Sequence, residues 1–176
     1  MNFRAVLLIV AVGLIAVLAA CGDDTCYDQR SALPMARFYY KGGTTAVAVS
    51  GLTVGGIGAA GDSLIVDSTT VSEFYMPLAP RESECQYFLR FTIAQEGVDG
   101  ETGNTVTTYS HLTDTLTVRY AARPYFASRE CGAMYYYDID DLSATNHILD
   151  SVAVATPTIT NVSQVNFRLF LPNETE

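Results

Sequence analysis

Gly55-Gly-Ile-Gly-Ala-Ala-Gly-Asp-Ser-Leu-Ile-Val-Asp67 is the stretch on which the fold turns. Gly56, Gly58 and Gly61 reproduce the G-x-G-x-x-G spacing that cradles a pyrophosphate in dinucleotide-binding α/β folds. That spacing works only between a strand and a helix N-terminus. Here the chain continues Leu64-Ile-Val-Asp-Ser-Thr-Thr-Val71, rich in β-branched side chains that lose freedom in a helix. The segment is strand, glycine bend, strand, with the glycines supplying positive φ or a bulge. Neither a dinucleotide nor any other cofactor is expected.

The same texture extends in both directions. Cys85-Gln-Tyr-Phe-Leu-Arg-Phe-Thr-Ile-Ala94 puts Tyr87, Leu89, Phe91 and Ile93 on one face and Arg90 and Thr92 on the other. Asp114-Thr-Leu-Thr-Val-Arg-Tyr120 repeats the alternation with Leu116, Val118 and Tyr120, and Gln164–Leu171 does so with Val165, Phe167, Leu169 and Leu171. A period of two is the mark of a half-buried strand, and no window carries a comparable helical stripe. Further strands are expected at Met35–Lys41, Thr44–Val54, Ser63–Asp67, Glu73–Leu78, Thr105–Leu112, Cys131–Ile139 and Ile148–Ala155. Turn signals fall at Lys41-Gly42-Gly43, Gly97–Asn104, Asp138–Asn146, Pro124, Pro157 and Pro172. The expectation is an all-β antiparallel β-sandwich, immunoglobulin-like in general architecture, with a small β-barrel as the alternative.

The N-terminus speaks about address. Met1–Ala20 carries one charge, Arg4, and an apolar run too short to span a membrane comfortably, closing in Leu18-Ala-Ala-Cys21. This resembles a bacterial lipobox, which implies cleavage before Cys21 and acylation of both its thiol and its new amine. Two or three acyl chains anchor stably where one does not. Gly22-Asp23-Asp24 resembles the acidic export signal of bacteroidete-type outer-membrane lipoproteins. The expected organisation is a signal peptide at 1–20, a lipidated tether at 21–33 and a β-sandwich domain at 34–173, lipid-anchored at the outer membrane on its periplasmic face or at the cell surface.

Without the leader, 9 basic residues face 19 acidic ones, a net charge of −10. Such a chain does not bind nucleic acid through charge. Hydrophobic residues at 49% are ample for one core. Of four cysteines, lipidation of Cys21 leaves Cys26, Cys85 and Cys131. An oxidising envelope predicts one disulfide and one spare thiol, and the expected pair is Cys26–Cys131, stapling tether to body. Cys85 then fits a small buried residue. No C-x-x-C pair exists to support a zinc or redox centre.

His111 and His147 have no ligand partner at metal spacing, and no Gly-x-Ser-x-Gly, H-E-x-x-H or Walker string occurs. Asp138, Asp140 and Asp141 form an acidic cluster, expected at a strand-to-loop exit, that offers a weak Ca²⁺ candidate without the EF-hand pattern. Phe38-Tyr39-Tyr40 and Tyr135-Tyr136-Tyr137 must each turn an aromatic ring away from the core unless both faces are covered. Asp followed by Ser or Thr precedes an apolar residue or threonine at Ser63, Ser68, Thr115 and Ser151. This resembles the O-glycosylation acceptor of bacteroidete exported proteins, although Asp also ends turns and Ser or Thr starts strands.

Together these features resemble an uncharacterised family of bacteroidete lipoproteins, a group of unknown function. The carrying residues are Cys21, Asp24-Thr25-Cys26, Pro34–Tyr40, Asp114–Tyr120 and Phe126-Ala-Ser-Arg-Glu-Cys131-Gly132 ahead of an aromatic strand. The resemblance implies a tethered all-β domain, and a Cys26–Cys131 bond matches its pattern. It brings no activity. The expected role is non-enzymatic: a membrane-anchored envelope module contacting a protein or glycan. The alternative is a hydrolase of envelope polymers whose carboxylates, among Glu73, Glu82, Glu84, Asp99 and Glu101, meet only in space.

Overall fold

A computed structural model describes residues 32–58, 63–100, 102–128 and 132–173. Ten strands follow in order: β1 Met35–Tyr40, β2 Val49–Ile57, β3 Leu64–Val71, β4 Glu73–Tyr75, β5 Glu84–Val98, β6 Thr105–Ser128, β7 Gly132–Ala144, β8 Ser151–Val154, β9 Thr158–Ile159 and β10 Val165–Leu171. They form a four-stranded sheet, β4-β1-β10-β8, and a six-stranded sheet, β3-β2-β5-β6-β7-β9. The sandwich expected from the alternation is present. One pairing departs from the antiparallel rule, since β1 runs parallel to β10 from Met35 to Tyr40.

The alternating residues meet between the sheets. Leu89, Leu116, Val118, Phe167 and Leu169 have no exposed surface, and Tyr120 is 1% exposed. Phe38 packs on Phe74 and edge-on to Phe91 with centroids 5.9 and 6.4 Å apart, which ties β1 to β4 and to the facing sheet. A buried amide fills the irregular register at Met35/Ala36: Asn166 accepts the Met35 N–H through Oδ1 at 3.1 Å. An acceptor there leaves no buried backbone donor unpaired.

Two expectations are corrected. Thr105–Leu112 and Asp114–Tyr120 are not two strands but halves of one, β6, which continues to Ser128. It crosses Pro124 because β5 pairs with β6 only as far as Arg119, so the proline's missing N–H faces an edge with no partner strand. The acidic turn expected at Asp138–Asn146 is likewise strand as far as Ala144, and β7 bends there through an irregular register opposite Arg119/Tyr120. The short strand β9 carried no signal in the sequence.

As a result β6 leaves the body at both ends. With β5 it forms one hairpin arm, whose residues from Ala94 to Val98 and from Thr105 to Tyr109 are exposed. With β7 it forms a second arm toward Ser128 and Gly132, pointing the opposite way along β6. At ~3.3 Å per residue a strand of this length reaches roughly 80 Å when straight.

Candidate functional site

The glycine-rich segment reaches a cavity through Gly56, Ile57 and Gly58 at the end of β2. Gly55 lies under the Phe88 ring, where a Cβ would come within 2.6 Å of two ring carbons, and Gly58 ends the strand at φ +77°. β2 and β5 pair antiparallel, Gly56 opposite Tyr87 and Ile57 opposite Gln86. Beside this ladder the chain after β4 crosses back, and the space between is an open cavity of about 620 Å³. Ile57, Ile65, Pro77 and Tyr87 give it apolar walls, while Ser63, Glu82, Glu84 and the Cys85 thiol give it polar edges. That volume lies within the range of small-ligand sites.

Three tyrosines fix the crossing segment. Tyr87 donates its hydroxyl to the Pro77 carbonyl, Tyr137 to Leu78 at 3.0 Å and Tyr120 to Ala79 at 2.8 Å. One hydroxyl from each of three adjacent strands thus holds three successive carbonyls. Tyr120 also accepts the Ala79 N–H at 3.0 Å and lies 3.0 Å from the Cys85 sulfur. Its single proton is committed to Ala79, so the thiol is the donor in that contact. Burial first, then the neighbouring Cys85, push Tyr87 and Tyr120 well above the ordinary phenol range. Burial does the same to Tyr137. All three remain protonated donors at neutral pH.

The residues singled out in the sequence are scattered. Ser63 lines the cavity, and Glu82 and Glu84 share its edge. Glu73 is held away by Arg37 in an ion pair of 2.5 Å, and Asp99 caps its own turn by accepting the Thr102 N–H at 3.0 Å. Asp138 pairs with Arg123 and Asp141 with Arg119, which draws Asp138 below the usual carboxylate range. Arginines across the ladder therefore occupy oxygens a cation would need, and among the described residues no trio of His, Cys, Asp or Glu could hold a metal. Ser68 is exposed at φ +42°, whereas Thr115 and Ser151 are half-buried. Phe38 is buried in the core, Tyr39 is buried on the opposite face against Phe170 and under Arg168, Tyr137 is buried, and Tyr135 is 43% exposed. Cys21, Cys26, Cys131 and Glu101 lie outside the described residues.

Sequence reasoning missed Asp114. Its carboxylate is fully buried and accepts the backbone N–H groups of His147, Ile148 and Leu149 at 2.5, 2.9 and 2.9 Å, with the Thr145 hydroxyl at 2.8 Å. Asn146 at φ +56° turns the chain so that these three amides converge. Burial alone would raise this carboxyl, but the amides of Leu149, His147 and Ile148 and the Thr145 hydroxyl outweigh it and leave it lowered. Asp114-Thr115, which looked like a sugar-acceptor pair, has its aspartate committed to fastening the β7–β8 connection onto β6.

Two packed sheets, with an open, mixed-polarity cavity beside β2 and β5, define an all-β sandwich domain. Residues 51–171, from within β2 to the end of β10, match the family described as a family of unknown function, DUF6452, and the chain belongs to it. No curated protein and no solved structure matches the chain.

Proposed function

We propose that this protein is an envelope lipoprotein whose β-sandwich is a non-enzymatic binding module, held at the outer membrane by acyl chains on Cys21 and contacting an envelope protein or glycan through the cavity beside Cys85. The cavity carries the proposal: about 620 Å³ between β2, β5 and the Pro77–Ala79 segment, with an apolar wall and a polar edge. Such a lining suits a short peptide or sugar segment, the walls excluding water and Ser63, Glu82 and Glu84 orienting polar groups. The leader ending in Leu18-Ala-Ala-Cys21 supports the anchor.

Ser63 is exposed and outside the core, so Ser63→Trp fills the cavity without disturbing the sandwich. Peptide and oligosaccharide fragments prepared from the envelope bind the parent saturably, and the variant weakens binding at least tenfold. Absence of saturable binding by either fragment class overturns the proposal.

A second reading rests on the same edge. Glu82 and Glu84 both line the cavity, and an acid–base hydrolase works with a pair of carboxylates. It requires bound fragments to be cut at a rate abolished in both Glu82→Gln and Glu84→Gln. Binding without cleavage leaves the non-enzymatic function standing.

A further inference from the structure

The cavity beside Cys85 carries charge of one sign. Among the described residues that line it, Glu82 and Glu84 are acidic and none is basic. Neither carboxylate belongs to an ion pair among the described residues. Glu84 accepts a hydrogen bond from the Gln86 amide at 3.3 Å through Oε1. Arg119, its partner across the β5–β6 ladder, is held by Asp141 at 2.7 Å instead. Glu82 is exposed, and its backbone N–H is used on the Ala79 carbonyl at 3.2 Å. Apolar walls beside such charges focus their field into the space, and the whole chain carries a net charge of −9.

The same lining favours a peptide over a sugar. Stacking on a pyranose needs an open aromatic face. Tyr87 is the one aromatic residue among those lining the cavity, and it is only 4% exposed with its hydroxyl committed to the Pro77 carbonyl. What the walls offer is aliphatic: Ile57 is 46% exposed and Ile65 is half-buried. A side chain with an aliphatic stem and a cationic head matches this surface at both ends.

We propose that the cavity takes a peptide segment through a lysine or arginine side chain, with the stem against Ile57 and Ile65 and the charge at Glu82 and Glu84. This rests on the cavity being a binding site and narrows what it holds. Charge sets the selectivity, and the isoleucines exclude water from it.

The probe is Ac-Ile-Lys-Ile-amide, set against its Nε-acetyllysine counterpart, which keeps the stem and loses the charge, and against maltotriose. By calorimetry on the full-length protein at low ionic strength, the lysine peptide binds about tenfold more tightly than either competitor, and high salt erodes that margin. Glu82→Gln and Glu84→Gln each shrink it, and the double variant removes it with an unchanged far-UV spectrum. Should the double variant misfold, Glu82→Gln alone, at an exposed carboxylate outside every ion pair, still shrinks the margin. Ser63→Trp separates the two ways of failing. Equal binding of the charged and neutral peptides, or tighter binding of maltotriose, with Ser63→Trp weakening all of them, keeps the cavity as a site and overturns the charge selectivity. A margin that survives in the double variant overturns it as well. If no probe binds while envelope fragments do, this inference alone falls; if neither binds, the cavity falls with it.

Discussion

Asp114 shows how one side chain can hold two strands and a turn at once. Its acceptors are fully buried and matched by four donors, so Asp114→Asn, which turns an N–H₂ toward N–H groups, costs about 3 kcal/mol. A lower urea midpoint at unchanged slope is the expected result. Because this carboxyl titrates below its unfolded value of about 4, its contribution is complete above that pH and fades as pH falls through the lower folded value. The gap between parent and variant should close in acid. Tyr120 gives a second residue-scale expectation. Tyr120→Phe removes the hydroxyl that links Ala79 to Cys85, at about 1–2 kcal/mol. Iodoacetamide then modifies Cys85 several-fold faster, as read by intact mass.

Among the elements, the β2–β5 ladder is the most sensitive to a single added carbon. At Gly55 a methyl group meets the Phe88 ring, itself covered by Arg90 at 5.4 Å, so Gly55→Ala costs about 1–3 kcal/mol. Phe88→Leu should restore most of that loss in a double-mutant cycle. The strands themselves were legible wherever one face is buried: Tyr87-Leu89-Phe91 and Leu116-Val118-Tyr120 alternate because each faces the opposite sheet. Legibility failed where polarity has a tertiary cause. Asp114 looked like a turn residue because the amides that satisfy it come from 147–149, and Asp138 and Asp141 looked like a loop because their arginines lie across a ladder. Pro124 looked like a strand end because nothing local reveals that β5 has already stopped. The cavity was invisible for the same reason: Ser63, Pro77 and Cys85 are far apart in sequence, and only the tyrosine hydroxyls bring the crossing segment over β5.

At the scale of the molecule, the family match fixes membership but no chemistry, and the address rests on the leader. The purified parent should show the mass of a chain beginning at Cys21 plus its acyl groups. Cys21→Ser should retain Met1–Ala20 and carry none. An unlipidated parent of the same processing state as the variant would remove the anchor from the account.

The parallel union of β1 with β10 bears on how the domain withstands mechanical force. Since the two strands run the same way, the N-terminal end of one and the C-terminal end of the other emerge at opposite ends of their shared ladder, Met35↔Val165 to Tyr40↔Leu171. Tension applied between the N-terminal end of β1 and the C-terminal end of β10 therefore slides the strands past each other and loads all their hydrogen bonds together, where a hairpin would be peeled open one bond at a time.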